Sequence, residues 1–471
     1  MSLPSRTRFE RRRQGVAGFA GLLATACLVV ASCASPPAQL ARASASPTRA
    51  GPAFDYQPSA SNLAPCPAGT LPSNESIAPF GFKMVSATTG WALGQCGGRD
   101  RPFPGDSTVK CIWPQIETMG ILRTTDGGRS WQDVSPPSVP NRSWPHTEFF
   151  MDATHAWAVE VARSATACVD DLVVFRTADG GHSWQASAPI PYRTSQPDGE
   201  VFNFCYCNLL SFADARNGLL VVGSPPAATP PGNMSPSTDL YRTADGGLSW
   251  TLVTKSPGQA TLNATPGCQQ NFYGLDGLTF QSATAGMLLV ACPNPTLVVT
   301  GDGGSTWLAR PLPSCVCQLY QFAFFDPVHG VATGSQSDVM MATDDGGATW
   351  AKRSLPHGSN FISFIDPGRG WVLNIAQLPT TYDIVLYRTT DGGRSWNPVG
   401  RPAFAVSTTG DPVSQFQFVD GNAGFAIATV RDSTATPRDA GGIREPVTLL
   451  VGTADGGHSW TVLQAQLAPW G

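Results

Sequence analysis

The 471-residue chain is expected to be all-β and to form a single seven-bladed β-propeller of four-stranded antiparallel blades. Two observations predict it. The octet Thr-x-Asp-x-Gly-x-(Ser or Thr)-Trp occurs seven times, and an apolar strand, short turn and second apolar strand precede every copy. The box aspartates, Asp126, Asp179, Asp245, Asp302, Asp345, Asp391 and Asp455, stand 43 to 66 residues apart. That is the period of a repeated supersecondary unit.

Each element of the repeat has a local reason. The first hairpin is clearest at 149–157, 364–371 and 418–425, where apolar runs flank a polar turn; Asp152, Asp214, Asp326, Asp366 and Asp420 begin five of these turns. A third apolar run follows, such as 172–175 or 384–387, and then the box. The box Asp can accept downstream amides in an Asx-type turn, and the Gly-Gly after it supplies positive φ at little steric cost. The Trp that closes the box is expected to cover the sheet and to begin the fourth strand, as at 250–253 and 460–463. Four short strands, repeated seven times with little helical periodicity, make a propeller.

These octets carry a family resemblance. They resemble the Asp-box, or bacterial neuraminidase repeat (BNR), and with Gly-Trp-Ala or Gly-Trp-Val in the second strand the chain resembles propellers of the photosystem II stability and assembly factor type and sortilin-like propellers. The resemblance covers about residues 78–465. It implies a propeller, and it selects no activity, because sialidases and some glucanases carry the same box.

Three segments are expected: a lipoprotein signal at 1–33, an Ala/Ser/Pro-rich tether at 34–77 and the propeller at 78–466. Arg6, Arg8, Arg11, Arg12 and Arg13 precede the apolar stretch 16–31, which is shorter than the roughly twenty residues of a membrane span. Val30-Ala31-Ser32-Cys33 resembles a bacterial lipobox, which implies a diacylglyceryl group on Cys33 and cleavage before it. Two acyl chains anchor stably where one is marginal. The expected location is therefore a bacterial cell envelope, lipid-anchored and facing the extracytoplasmic side.

Charge narrows the partners. The whole chain carries 30 Lys and Arg against 34 Asp and Glu. Removing 1–33 takes away five Arg and one Glu, leaving 25 against 33, or −8. That balance argues against nucleic acid. Of twelve cysteines, Cys27 lies in the signal and Cys33 at the lipobox. Cys66, Cys96, Cys111, Cys168, Cys205, Cys207, Cys268, Cys292, Cys315 and Cys317 remain, an even number suited to disulfides in an exported chain. Cys96 with Cys111, Cys268 with Cys292, and Cys168 with Cys205 or Cys207 are the expected local pairs. Apart from Cys66, all fall at the loops between second and third strands or between blades. The long insertions 94–120, 224–239 and 431–446 fall there too, so one end of the ring is regular and the other elaborated.

No catalytic residue, metal ligand or cofactor is expected. One-residue spacing in Cys205-x-Cys207 and Cys315-x-Cys317 is not the usual zinc spacing, and the six histidines assemble no Ser-His-Asp or metal set. The Arg-Ile-Pro segment typical of sialidases is missing, and glucanases of this kind use two propellers in tandem. Arg123, Arg176, Arg242 and Arg388 precede the box Thr in four repeats; they are read as packing residues rather than an anion-binding ring. The favoured function is a non-enzymatic platform for a protein or peptide, which the family resemblance extends to assembly or quality control of a membrane complex. The alternative is a glycoside hydrolase or carbohydrate-binding propeller, sialidase-like, with Trp113, Trp144 and Tyr192 as its stacking surface.

Overall fold

The computed structural model describes residues 55–56, 65–66 and 81–467 apart from the connections 95–119, 137–141, 164–169, 193–208, 225–236, 256–274, 291–295, 313–318, 335–337, 378–381, 403–412 and 432–445. Seven sheets of antiparallel strands follow one another and close into a ring, as expected. Their four-stranded cores span 81–133, 142–186, 209–255, 275–311, 319–354, 359–400 and 413–467, blades 1 to 7. Within each blade the strands pair in chain order, so every blade is made of consecutive residues. The insertions begin and end where the strands do, at Gly94 and Gly120 and at Arg431 and Pro446, whereas in blade 3 the third strand starts earlier than expected, at Ser237.

Two sheets are extended at the rim. Asp55–Tyr56 pairs antiparallel with Gln185 and Trp184 of blade 2, and Pro65–Cys66 with Gln132 and Trp131 of blade 1.

The core lies between blades, not within them. One cluster joins Trp371, Leu373 and Leu386 of blade 6 to Phe416, Phe418 and Ala426 of blade 7, and another joins Trp157 and Val174 of blade 2 to Phe212 and Leu220 of blade 3. A sheet that must bury both faces carries apolar side chains on both, which explains near-continuous apolar strands such as Val339–Thr343. The second strands of blades 1, 2 and 6 each supply a fully buried tryptophan. Trp91 Nε1 donates to Asp152 O at 2.8 Å, Trp157 Nε1 to Gly246 O at 2.8 Å and Trp371 Nε1 to Gly456 O at 3.2 Å, each on the following blade. Trp157 and Trp371 also stack on Phe212 and Phe418 of the following blade, with centroids 3.8 and 4.0 Å apart.

Among the described residues, blades 7 and 1 share no strand, and side chains join them. Blade 7 is complete in its own four strands, and its innermost strand (Val413–Phe418) meets the innermost strand of blade 1 (Gly81–Met84). Gln417 Oε1 accepts the Met84 amide and its Nε2 donates to the Met84 carbonyl, both at 2.9 Å, while Gln415 Oε1 accepts the Phe82 amide at 2.9 Å. A primary amide offers both a donor and an acceptor, so it stands in for the backbone of a missing strand. Elsewhere serine fills the same position with one bond: Ser211 accepts the Phe280 amide and Ser363 the Phe418 amide, at 2.8 Å each.

Candidate functional site

The seven boxes are built alike. In each, the Thr hydroxyl donates to Asp Oδ1 at 2.8–2.9 Å. It accepts the second Gly amide at 2.8–3.0 Å. Asp Oδ2 takes the Ser or Thr hydroxyl at 2.5–2.7 Å. Both box glycines have positive φ, near 71–79° and 85–100°. A Cβ on Gly181 would also lie 2.6 Å from Val134 Cβ, so that position excludes a side chain on two grounds.

The amide of the first box Gly donates to a carbonyl in the first turn of its own blade, in all seven blades: Gly127 to Thr88 and Gly456 to Asn422 are the first and last. Boxes and first turns therefore share one end of the ring. Those turns are Asx turns where Asp begins them, as at Asp214, whose Oδ1 accepts the Arg216 and Asn217 amides. Ser86 and Ser282 do the same in blades 1 and 4.

The box carboxylates consequently hold their charge firmly. The Thr306 hydroxyl and amide, with the Thr300 hydroxyl, lower Asp302 to about 2, and the corresponding Thr349 groups lower Asp345 to about 2. A carboxylate whose lone pairs are engaged by its own turn is a brace rather than a catalyst.

The box tryptophans divide into two groups. Trp131 and Trp184 are buried, and Trp184 Nε1 donates to Val134 O of blade 1 at 2.8 Å. Trp250, Trp307, Trp350, Trp396 and Trp460 are half-buried, and four of these donate to the second glycine of their own box at 2.9–3.1 Å. The expectation that every box Trp covers the sheet holds fully only in blades 1 and 2.

The arginines before the box Thr are packing residues. Arg123 donates to Ala153 O at 3.0 Å and Arg176 to Asp245 O at 2.7 Å, each crossing to the next blade. Arg123 and Arg388 lie over Trp91 and Trp371, 5.7 and 5.1 Å from the ring centroids. Where the position holds Val299 or Ala342, an arginine from the fourth strand substitutes: Arg310 donates to Gly346 O and Arg353 to Gly392 O. The chemistry is kept while its sequence position moves, which explains why only four were visible as a series.

One seam departs from the pattern. The residue two places before the end of each innermost strand faces the preceding blade: Phe82, Leu210, Leu278, Ile362 and Phe416 sit in cores shared with it. Blade 2 has Glu148 there. One place later the side chain faces the following blade, as Ser211, Ser363 and Gln417 do. Blade 1 has Lys83 there, its ammonium 5.2 Å from the centre of the Phe149 ring of blade 2. A lysine and a glutamate thus enter the same seam from opposite sides.

Lys83 reaches solvent and Glu148 is partly covered. Burial raises Glu148 to about 7 and lowers Lys83 from 10.5. Among the described residues, no hydrogen bond or ion pair engages either charge. They are also the two charged groups among the described side chains of the innermost strands. Sequence reading missed both; aligning the repeats on the boxes would have exposed Glu148 as a carboxylate in an otherwise apolar column.

Other expectations fall outside what is described. Cys33, the nine loop cysteines Cys96 to Cys317 and Trp113 lie outside the described residues; Cys66, Trp144 and Tyr192 are placed by backbone alone. Among the described residues no three His, Cys, Asp or Glu side chains gather as a metal set.

No family model matches the chain, and no curated protein matches it. Solved structures similar to it include YCF48 bound to D1 peptide, with 18% identity over 67% of this chain and 80% of that one at a TM-score of 0.39. YCF48 from Cyanidioschyzon merolae is 16% identical over 77% of this chain and 95% of that one, at 0.42. The GH74 enzyme of Niastella koreensis is 12% identical over 83% of this chain and 62% of that one, at 0.28. The ring stands on its own strand pairing, and these likenesses add nothing to its function.

Proposed function

We propose that the chain is an exported, lipid-anchored, non-enzymatic propeller that presents a binding platform to a protein or peptide in the assembly or quality control of a membrane complex. The observation that carries this reading is where the recurring polar groups are used. The box Thr, Asp and Ser bond within their own turns and the arginines bond across seams, so the repeated chemistry is scaffold. What differs from blade to blade lies in the longest insertions, 94–120, 224–239 and 431–446, whose flanking strands end away from the boxes. Rigid scaffolds with variable loops commonly serve recognition. Export and anchoring rest on the arginine-rich start, the apolar stretch and the lipobox-like cysteine.

The test is affinity capture from detergent-solubilised membranes, run with the full chain and with Cys33→Ser. The expected result is a discrete co-purifying protein, and a shift of the variant from the membrane to the soluble fraction. Hydrolysis of a glycan panel by the purified chain, or capture of no protein at all, would overturn the platform reading.

A further inference from the structure

We propose that the outer edge of blade 4 receives an extended apolar segment of a partner protein as an added antiparallel strand. The segment places an apolar residue opposite Leu308 and an aromatic one opposite Trp307. The inference goes beyond the platform reading, because this contact is made by backbone at the rim and not by the insertions.

The ring already shows how its edges are used. Asp55–Tyr56 lies along the fourth strand of blade 2, with Asp55 opposite Gln185 and Tyr56 opposite Trp184. Pro65–Cys66 lies along that of blade 1 in the same register, with Pro65 opposite Gln132 and Cys66 opposite Trp131. Both tryptophans are buried, whereas Trp307 of blade 4 is half-buried. The box tryptophan and the residue after it are therefore the positions at which this rim accepts a fifth strand, the geometry of recognition by strand addition.

An uncovered edge is usually guarded, since its unpaired amides and carbonyls invite another chain. Among the described residues, blades 3 to 7 end at their fourth strands. In blades 3, 6 and 7 that strand pairs irregularly with the third, with register shifts at Leu240/Tyr241, at Leu386/Tyr387 and on either side of Leu450. Pro398 also interrupts the edge of blade 6, and blade 5 carries an exposed Lys352. Blade 4 pairs without a shift: Leu308, Ala309 and Arg310 stand opposite Val299, Val298 and Leu297. Its one charged residue, Arg310, is turned into the seam and donates to Gly346 O of blade 5.

Side chains single out the same edge. Leu308, 59% exposed, is the most exposed large apolar residue among those described. It ends a row of paired residues, Met287, Val299 and Leu308, that is apolar from the second strand out to the rim. The corresponding row in blade 2 is Trp157, Arg176 and Gln185, where Arg176 donates to Gln185 Oε1 at 2.7 and 3.0 Å, and Asp55 stands opposite Gln185. Directly opposite residues on paired strands form the interacting unit of a sheet. A polar row has taken a polar residue in blade 2, and the apolar row of blade 4 calls for an apolar one. Pro311 has no amide hydrogen and ends this edge, so the added strand is short and its two side chains set its selectivity.

The test is fluorescence anisotropy of the full chain with a labelled synthetic peptide copying residues 51–60, with and without Asp55→Val. The Asp55→Val peptide offers Val and Tyr to Leu308 and Trp307, and is expected to bind at least about fivefold more tightly than its parent. N-methylation of alternate peptide amides should abolish binding in one phase and spare it in the other, because a strand at an edge pairs through every second residue. Leu308→Lys should abolish binding with thermal melting unchanged, the side chain being exposed, and Leu308→Met should keep it. Exchange of the backbone amides at 308–310 should slow when the Asp55→Val peptide is added. Equal binding of the two peptides, no binding of either, the same effect of both methylation phases, or undiminished binding to Leu308→Lys overturns the inference. A wild-type dimer that Leu308→Lys converts to a monomer gives the edge to a second copy and likewise overturns it. Failure of membrane capture would bear on the platform alone, since the peptide assay needs no membrane protein.

Discussion

Replacing a box tryptophan should cost very different amounts in different blades, although the octets look alike. Trp184 is 1% exposed and its Nε1 donates to Val134 O across the seam to blade 1. Trp184→Ala removes a fully buried indole, about 3–5 kcal/mol with the cavity it leaves. It also strands a carbonyl that had a partner, adding about 1 kcal/mol or more. Trp250 is half-buried, bonds its own Gly247 at 3.0 Å and meets Phe212 edge-on at 5.9 Å. With about half the burial, Trp250→Ala should cost roughly 1.5–2.5 kcal/mol. The two variants should thus differ by about 2.5–3.5 kcal/mol. Guanidinium unfolding followed by circular dichroism measures the gap, provided the slopes of the two transitions match, since a changed slope signals a different unfolding reaction. Equal losses, or the larger loss at Trp250, would refute the division of the boxes into seam-crossing and self-bonded classes.

Two further outcomes follow from the ring. The box carboxylates sit below their ordinary range, with Asp302 at about 2; a depressed folded pKa contributes stability that is present above the unfolded value, near 3.9, and is lost as pH falls through the folded one. Thermal melting should therefore hold down to about pH 4 and decline toward about pH 2, and Asp302→Asn should blunt that decline; a loss of stability confined to alkaline pH would contradict it. Gln417→Leu removes both bonds to Met84 and should cost about 1–3 kcal/mol, with amide exchange rising first at the blade 7 to blade 1 seam; unchanged exchange there would show that apolar contacts alone close the ring.

The blades were legible because the box is local. Thr, Asp, Gly-Gly and Ser or Thr meet within one turn, so their spacing along the chain is their spacing in space. The seams were not legible in the same way. Gln415 and Gln417 look like ordinary strand residues until blade 7 is known to meet blade 1. Arg310 and Arg353 replace the missing arginines from a different strand, so no column of the repeat reveals them. Trp131 and Trp184 are buried where their five counterparts are half-exposed, a distinction set by the neighbouring blade and by the strands that cover them at the rim, not by the octet. That Lys83 and Glu148 enter one seam is visible only when alternation along two facing strands turns one forward and the other back.

That blades 7 and 1 share no strand among the described residues bears on how the chain assembles. Because each blade is a run of neighbouring residues, synthesis can complete one before the next emerges, and most strand-to-strand contacts lie within one blade. The glutamine stitch, spanning 333 positions, is the late event. The entropy of bringing such distant ends together grows only with the logarithm of the distance, so the final join is entropically little harder for seven blades than for four. The seam's position along the chain is then a matter of where translation starts. A permuted chain beginning at 142, with its old ends joined, would carry the same stitch between the same blades while moving the open junction to the Lys83–Glu148 seam.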